Sequence, residues 1–437
     1  AVFDTSGNNN TGTMMNGPIP VQGKFGKAMR FDGVNARIII PDSPSLSLTT
    51  AITVSAWVKA SDATGGGRGV VTKGPPNSDY DYMLYLTTSG DKADFYIKDS
   101  TGNIGTAGLA DAIWDDDKWH YFAGIYDGDF LYLYYDGRLV SSTDTPLTTI
   151  RDSSENLLIG RGWNISFTGS IDQVRIYNYA RTPAQIAWEY NRGAPVAWYQ
   201  FNECSGTTAY NAARNGNNDP AGNNGTIVIG SSGSQTSAGT CDTSGAWANG
   251  KDGKRNASLN FDGNDDYVQV TDHVTLKSSA FSVTMWINAH SLNTRQGIVT
   301  KRRNSGDGFS DFEWRFGFRE EAAATNQNNQ LEFTWYSSNA ADRIASKQLF
   351  TTDRWYHTVF THTGTESFIY IDGKLDNTKN TSVAYDSNKS GNSLWIGSSR
   401  LNLRPFNGQI DDVKIYNYAL TPEQIKLDYN GGAVRFE

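Results

Sequence analysis

The sequence predicts an all-β protein built from two antiparallel β-sandwich (jelly-roll) domains in tandem. Two observations carry this prediction. One ordered set of motifs occurs twice along the 437 residues, and strand-like runs at 130–135 and 367–371 lead into Asp136-Gly137 and Asp372-Gly373. An Asp-Gly pair tolerates the positive φ angles of a type I′ hairpin turn. A repeat this long indicates a duplicated domain, because solenoid units span only about 20 to 50 residues.

The duplicated motifs keep their order, while the loops between them differ in length. The matching segments are 31–33 and 261–263 (Phe-Asp-Gly), 52–58 and 281–287, 71–73 and 299–301, 118–120 and 354–356, and 169–179 and 408–418. We therefore place the two domains at residues 1–194 and 195–437.

One short helix is expected to close each copy. The segments 182–185 (Thr-Pro-Ala-Gln) and 421–424 (Thr-Pro-Glu-Gln) place threonine at the N-cap, proline at N1 and glutamine at N3. This pattern is a capping box in which the missing N–H of proline leaves no hydrogen bond unmade.

The composition indicates an extracellular β-protein. Aromatic residues make up 12% of the chain and charged residues 19%, with a net charge of −8. Phosphate binding requires basic surfaces, so we expect no nucleic acid partner. No apolar run approaches the roughly 20 residues that cross a bilayer, so we expect no membrane insertion. The chain begins at Ala1 and looks processed, which favours a piece of a longer protein.

The chain has two cysteines, Cys204 and Cys241, in one stretch rich in glycine, asparagine and serine. Two thiols so close within a loop predict one disulfide, and hence a secreted or cell-surface location. Two unrelated free thiols are the alternative.

Together the motifs resemble the bacterial laminin-G-like domains of the concanavalin A-like lectin/glucanase jelly-roll family. The family's opening segment is represented by residues 4–8 (Asp-Thr-Ser-Gly-Asn), and its Phe-Asp-Gly, Trp-Val, Trp-His and Gly-x-Ile-Asp-x-Val-x-Ile-Tyr-Asn strands follow in order. The resemblance implies two stacked antiparallel sheets per domain. It also implies a secreted carbohydrate-binding or adhesive module, in many members with a bound Ca²⁺ ion. It does not imply one particular ligand.

Catalysis has to be considered, because the same fold occurs in polysaccharide-degrading enzymes. Glycosidases hold two carboxylates about 5 to 9.5 Å apart. Laminarinase-like relatives supply them as Glu-x-Asp-x-x-Glu, a pattern absent from this sequence. Asp81, which we align with Asp311, is the strongest remaining candidate. The five histidines form no zinc-binding pattern. We expect no enzymatic activity, with a polysaccharide-degrading enzyme as the alternative.

Calcium is the expected cofactor, because Ca²⁺ binds several oxygen ligands from carboxylates and turns. The resemblance implies that the Phe-Asp-Gly turn and the closing strand meet at one edge of the sandwich. The predicted ligands are Asp262, Asp265, Asp266 and Asp411 in the second copy, and Asp32, Asn35 and Asp172 in the first, which keeps fewer acidic residues. The alternative is a simple turn stabilised by its own side chains.

The alternation of side chains along strands predicts a ligand-binding face. Aligning 81–82 with 311–312 gives one apolar face shared by both copies and an opposite face that is polar and aromatic and differs between them. Aromatic rings with neighbouring polar groups suit sugars. The predicted ligand-binding residues are Tyr85, Tyr96, Lys98, Glu313, Arg315 and Tyr336. An ordinary solvent-exposed face is the alternative.

We therefore expect a secreted, non-catalytic tandem module that binds an extracellular polysaccharide or glycan. A structural or adhesive surface protein is the alternative. The first copy has no equivalent of the apolar segment 196–201, which opens the second copy. Residues 433–437 (Ala-Val-Arg-Phe-Glu) resemble such an opening strand, so head-to-tail self-association through this C-terminal segment is a further hypothesis.

Overall fold

The structure, a computed structural model, divides the chain into two compact units, Ala1–Gly193 and Ala194–Glu437. Each unit contains two large antiparallel sheets, which agrees with the predicted tandem of β-sandwiches. The residues described are 1–60, 68–75, 80–87, 92–162, 165–213, 223–273, 276–292, 294–302, 312–319, 329–337, 340–381, 391–400 and 403–431.

Unit 1 contains two large sheets and a small hairpin, β14-β15. Sheet 1A has the strand order β1-β4-β13-β6-β7-β8-β9, and sheet 1B has the order β12-β11-β10-β5-β16-β3-β2. The strands are β1 (Thr13–Met15), β2 (Ile19–Gln22), β3 (Lys27–Asp32), β4 (Arg37–Ile40), β5 (Ile52–Lys59), β6 (Arg68–Lys73), β7 (Tyr82–Thr87), β8 (Lys92–Lys98), β9 (Ile104–Leu109), β10 (Trp119–Tyr126), β11 (Phe130–Tyr135), β12 (Arg138–Asp144), β13 (Leu157–Ile159), β14 (Arg161–Gly162), β15 (Ile165–Ser166) and β16 (Thr168–Tyr177).

Unit 2 repeats this plan. Sheet 2A has the order β18-β19-β21-β30-β23-β24-β25-β26. Sheet 2B has the order β17-β33-β22-β27-β28-β29, with β20 also paired to β33, and β31-β32 is a hairpin. The strands are β17 (Ala197–Tyr199), β18 (Thr208–Ala209), β19 (Gly225–Val228), β20 (Leu259–Asp262), β21 (Tyr267–Val270), β22 (Phe281–Ala289), β23 (Gln296–Arg302), β24 (Phe312–Phe318), β25 (Leu331–Tyr336), β26 (Ala341–Ala345), β27 (Trp355–His362), β28 (Glu366–Ile371), β29 (Lys374–Asn380), β30 (Ser393–Ile396), β31 (Ser398–Arg400), β32 (Leu403–Pro405) and β33 (Asn407–Tyr416).

Both predicted helices form with the predicted caps. In α1 (Pro183–Asn191) and α3 (Pro422–Tyr429) the threonine side chain accepts from the N3 backbone and the N3 glutamine accepts from the threonine backbone. Each helix packs on the outer face of its second sheet, where the rings of Trp57 and Tyr190 stack in unit 1 and those of Trp286 and Tyr429 stack in unit 2. A further short helix that the sequence analysis did not predict, α2 (Ala246–Gly250), lies in unit 2.

The Asp-Gly hairpin turns are confirmed. Asp136 and Gly137 have φ angles of 47° and 74°, and Asp372 and Gly373 have 50° and 75°. Both residues of a type I′ turn need positive φ, which glycine and, to a lesser degree, aspartate tolerate.

Strand pairing corrects one alignment made from the sequence. Val71 lies opposite Leu84, whereas its counterpart Val299 lies opposite Phe316, not Trp314. The true register is therefore shifted by two residues, so Tyr85 matches Gly317 and Asp81 matches Glu313. A shift of two residues leaves every side chain on the same face, which is why alternation could not detect it.

The two units differ at one edge of the second sheet. In unit 2, β17 lies along β33, with Ala197 opposite Ile415 and Tyr199 opposite Val413. Both β17 side chains are buried in the core. In unit 1, residues 174–176 of β16 have no such strand beside them within the described part of the chain.

An apolar groove lies along this edge of unit 1. Val174 and Ile176 are half-buried there, whereas their counterparts Val413 and Ile415 are buried. Together with Met29 and Ile159 they line a groove of about 520 Å³. In unit 2 the equivalent space is filled by the side chains of β17.

Candidate ligand-binding faces

The predicted ligand-binding residues lie on the outer faces of sheets 1A and 2A, on strands β7, β8, β24 and β25. The central strands of sheet 2A are buried along their whole length. Strands buried on both faces must pair their polar side chains. The pairing of these polar groups therefore defines the chemistry of each face.

The face of unit 1 combines tyrosines with one carboxylate. Tyr80, Met83 and Tyr96 form a small buried cluster, and Tyr85 packs against it. Tyr85 lies opposite Asp94 and hydrogen bonds to it. Burial raises the pKa of the Asp94 carboxyl, although the Tyr85 hydroxyl and Lys92 oppose this effect. This is a largely neutral, aromatic surface.

Gly108 leaves the space that Asp94 occupies. A Cβ atom at Gly108, which pairs with Asp94 across β8 and β9, would lie 2.0 Å from Asp94 Oδ1. Lys98 is half-buried at the far end of β8, on the same side as Tyr96.

On the face of unit 2, the carboxylate is surrounded by arginine side chains instead of tyrosines. Glu332 occupies the position of Asp94, since each lies opposite the matching residue of the neighbouring strand. Arg315 donates from Nη2 to Glu332 Oε1 at 2.8 Å. Arg295, Arg319 and Arg343 also come within 4 Å of the two Glu332 oxygens, at 3.8, 3.6 and 3.8 Å.

Arg404 adds a fifth positive charge to this group. Burial, together with repulsion from Arg315 and Arg404, lowers the pKa of Arg295 to about 10. Burial lowers the pKa of Arg315; Tyr336 and Glu332 partly offset this effect, and Arg404 adds to it by repulsion. Four of these guanidinium groups therefore lie around Glu332, and Arg404 adds positive charge near two of them.

Glu313 and Arg315 lie on the predicted face but are not exposed. Their exposed fractions are 0% and 1%. Glu313 accepts from Lys301 Nζ at 2.8 Å and from Asn392 at 2.9 Å, so it belongs to a buried ionic network. Tyr336 stacks on Phe312 and is 8% exposed, like Tyr96. The alternation pattern predicts on which face of the sheet a side chain lies, but not whether other residues bury it there.

The two carboxylates at the centre of these faces were not among the predicted ligand-binding residues. Alternation along the strands predicted Tyr96 and Lys98 on β8, and Tyr336 on β25. Continuing the same alternation toward the start of these strands reaches Asp94 and Glu332. Arg295 and Arg404 come from loops and a hairpin, and no strand pattern could have placed them.

Three of the predicted calcium ligands do come together. Asp262, Asp265 and Asp266 each place a carboxylate oxygen within 4.8 Å of the others. Backbone N–H groups of Ser231, Ser232 and Ser234 donate to this cluster. Asp265 Oδ1 is buried and has no hydrogen-bond partner among the described residues. A cluster of hard oxygen ligands with an unused carboxylate oxygen fits Ca²⁺.

The matching turn of unit 1 does not fit a cation as well. Asp32 Oδ1 already accepts the N–H groups of Val34, Asn35 and Ala36, which make it the cap of a turn. Those bonds, the one from Ala36 first, lower the pKa of Asp32. Asn35 and Ala36 stand where unit 2 has Asp265 and Asp266.

Asp411 and Asp172 lie apart from these turns. Asp262 is opposite Asn407 on β33, and Asp411 lies four residues further along the strand, or roughly 13 Å at the usual strand rise. Asp411 Oδ2 accepts the N–H of Arg255, and Asp172 Oδ2 accepts the N–H of Phe25, so each aspartate anchors the loop before its Phe-Asp-Gly strand. Burial raises the pKa of Asp411 to about 7.

Asp81 is engaged in structural contacts. Its carboxylate accepts from Arg151 Nε at 2.6 Å and from Ser153 N at 3.1 Å, which ties the start of β7 to the 151–153 loop. The alignment partner proposed for it, Asp311, lies outside the described residues.

The predicted disulfide is present. Cys204 and Cys241 are bonded, with their Cα atoms 4.9 Å apart. The Cys241 N–H also donates to the Cys204 carbonyl, and Ser205 forms a β-bridge with Thr240. None of the described helices is long and apolar enough to cross a membrane.

Comparison with solved structures gives distant similarities. Domain 4 of AbnA, a GH43 extracellular arabinanase from Geobacillus stearothermophilus in complex with arabinotriose, is 20% identical, covering 54% of this chain and 98% of that one with a TM-score of 0.38. The binding domain of Paraclostridial Mosquitocidal Protein 1 is 14% identical, covering 94% of both chains with a TM-score of 0.37. Domains LG4-5 of the mouse laminin alpha1 chain are 12% identical, covering 93% and 94% with a TM-score of 0.28.

Among curated protein sequences, none matches this chain. A family profile does match: the laminin-G profile described as the concanavalin A-like lectin/glucanases superfamily covers residues 32–187 and 262–426. One match falls in each unit, and together they span most of the chain. The protein therefore belongs to the concanavalin A-like lectin/glucanases superfamily, as a tandem of laminin-G-like domains.

Proposed function

We propose that this protein is a secreted, non-catalytic module that binds an extracellular glycan through the outer faces of sheets 1A and 2A. One observation carries the proposal. Each face holds a half-buried or buried carboxylate at the same position, Asp94 or Glu332, surrounded by different partners in the two units. Tyrosines surround the first carboxylate and arginines the second, which suits two faces that bind different sugars.

The surrounding chemistry supports sugar binding more than catalysis. A tyrosine ring covers the C–H side of a pyranose, and polar groups at its edge pair with the hydroxyls. Asp81 in unit 1 and Glu313 in unit 2 are each held by cationic and polar neighbours, as structural carboxylates are.

Affinity electrophoresis of the intact protein on a panel of neutral and acidic polysaccharides tests the proposal. We expect at least one polymer to retard the protein. If unit 1 binds that polymer, the Tyr85→Ala variant should be retarded less than the unchanged protein. Tyr132→Ala, on the outer face of sheet 1B, is the matched control. Failure of every polymer to retard the protein would contradict glycan binding, and release of reducing ends or unsaturated products would revive the enzymatic alternative.

We also propose a Ca²⁺ ion in unit 2, held by Asp262, Asp265 and Asp266. The ion would neutralise three carboxylates that otherwise repel one another, and would fix the 230–235 loop against the Phe-Asp-Gly turn. Asp411 is not part of this proposed site, because it lies further along β33.

A second candidate function is head-to-tail association by strand exchange, and the groove along β16 favours it. The occupant we propose is the segment 433–437 of a second copy, whose own structure lies outside the described residues. Val434 and Phe436 alternate with Arg435 and Glu437, as the buried Ala197 and Tyr199 alternate with the half-buried Trp198 in β17. Such a contact is heterologous and would build a ring or filament.

Light scattering over a range of concentrations tests this association. We expect the intact protein to form oligomers and a variant lacking residues 433–437 to remain a monomer. A synthetic peptide of residues 430–437 should compete with the oligomer. If the intact protein is monomeric at high concentration, strand exchange is refuted. It is also refuted if the groove binds a peptide of residues 194–201 but not the C-terminal peptide.

A further inference from the structure

The arginine group on sheet 2A carries more positive charge than the protein itself neutralises. Four guanidinium groups, those of Arg295, Arg315, Arg319 and Arg343, lie within 4 Å of one carboxylate, Glu332, and Arg404 adds positive charge that repels Arg295 and Arg315. Glu332 is the only acidic side chain that the described residues bring within 4 Å of any of them.

Part of this donor capacity is buried and unused. Arg315 is 1% exposed, yet its Nε and Nη1 atoms have no hydrogen-bond partner among the described residues. Nε of Arg295 is likewise buried and unpaired. Buried donors without partners are rare and costly, because each one loses its water without gaining a replacement. A ligand that supplies acceptors would remove this cost.

The outer members of the group can reach solvent. The side chains of Arg295, Arg319 and Arg343 are 24%, 30% and 63% exposed. They form a rim above the buried Arg315–Glu332 pair. A planar guanidinium group binds carboxylate or sulfate oxygens in a bidentate, charge-assisted way, and this suits an anionic group better than a neutral hydroxyl.

The positions matching these arginines in unit 1 are not basic. Strand pairing places Met83 where unit 2 has Arg315, and Thr106 where unit 2 has Arg343. Continuing the same register along β7 and β24 places Thr87 where unit 2 has Arg319. The excess charge therefore belongs to one unit and is not required by the fold. Overall the protein is acidic, with a net charge of −8, which makes this local cluster of positive charge more distinctive.

We propose that the outer face of sheet 2A binds an acidic saccharide through a carboxylate or sulfate group, with Arg319 and Arg343 making the first contacts. This inference rests on the proposed glycan-binding function and gives the chemical class of the ligand of unit 2. Unit 1, with its tyrosines, binds no such group.

Binding of the intact protein to four polymers tests the inference: polygalacturonate, its fully methyl-esterified form, dextran sulfate and neutral dextran. We expect binding to polygalacturonate, dextran sulfate or both, and at least tenfold weaker binding to the uncharged counterpart. The two acidic polymers distinguish a carboxylate from a sulfate ligand. Affinity should also fall as the salt concentration rises, because ion pairs at a partly exposed site are screened.

Arg319→Gln and Arg343→Gln should each weaken binding to the acidic polymer about tenfold or more. Both are rim residues, so the fold should be retained, as a melting curve would verify. Arg354→Gln is the matched control, because Arg354, just before β27 of sheet 2B, has a side chain that is 60% exposed and pairs with Asp372. Equal loss in the control would mean non-specific attraction and would overturn the inference.

The outcomes separate the two proposals. A protein that binds neutral glycans but neither acidic polymer would overturn the acidic-ligand inference while leaving glycan binding intact. Unchanged acidic binding in both rim variants would overturn the assignment to this face. No binding to any glycan would contradict both proposals.

Discussion

Asp94 and Glu332 occupy the same position in the two units, yet the first is hydrogen bonded to a tyrosine and the second to an arginine. The duplicated fold has kept a carboxylate on the outer face of its first sheet and changed everything around it. The core side chains on the other face of these strands, Phe95 and Phe333 among them, are unchanged in type. The two units therefore differ in the outer side chains that would contact a ligand, whereas the side chains that pack the core of the sandwich are similar.

Replacing Glu332 with glutamine should destabilise unit 2 strongly. The buried Arg315 would lose its charged partner, and breaking a buried ion pair costs about 3–5 kcal/mol. Urea unfolding measures the change. Arg343→Ala, which removes an exposed arginine 3.8 Å from the same carboxylate, should cost below about 1 kcal/mol. Similar losses for the two variants would contradict the central role of the Arg315–Glu332 pair.

Stability should fall in mild acid because of His362. Burial lowers its pKa to about 4, whereas an unfolded histidine titrates near pH 6.5. The folded state thus keeps His362 neutral while the unfolded chain gains a proton. Its contribution is fully present above about pH 6.5 and is lost as the pH falls toward 4, by roughly 3 kcal/mol in total.

Denaturant unfolding at several pH values checks this dependence. In His362→Gln the slope between pH 6.5 and 4 should become shallower, because the titrating group is gone. His290→Gln serves as the control, since that ring is partly exposed and paired with Asp353 on the surface. A slope unaffected by the His362 substitution would argue against burial as its cause.

Calcium should raise the melting temperature through unit 2. A ligand that binds only the folded state adds about 2.7 kcal/mol at a hundredfold excess over its Kd. We expect the increase to be lost in Asp265→Asn and kept in Asp32→Asn, the matching motif of unit 1. Scanning calorimetry with and without chelator, on protein whose metal content has been measured, provides the comparison. An identical melting curve in both conditions would exclude a structural ion.

The Cys204–Cys241 disulfide should stabilise the loop region of unit 2. Closing a loop of this kind contributes roughly 2 to 4 kcal/mol, mostly by restricting the unfolded chain. The double variant Cys204→Ser, Cys241→Ser should therefore unfold at lower urea concentration. Native protein should release no titratable thiols before reduction; two thiols per chain would show that the bond is absent in solution.

The sequence by itself determined the architecture of this protein. Alternation within strands, the Asp-Gly turns and the Thr-Pro-x-Gln caps are local signals, and each formed as expected because it depends on neighbouring residues only. The tandem arrangement of two domains followed from the duplication, because the same signals occurred twice in the same order. Even the error in aligning β7 with β24 left every residue on its correct face.

Only the tertiary structure decided which side chains meet. Arg315 and Glu332 are on neighbouring strands, but Arg295 and Arg404 reach them from a loop and a hairpin that no periodic pattern locates. Burial of Glu313 likewise depends on Lys301 and Asn392, which lie on other segments. Electrostatic sites are assembled from residues far apart in the chain, so their charge balance appears only when the strands are paired and the loops are in place.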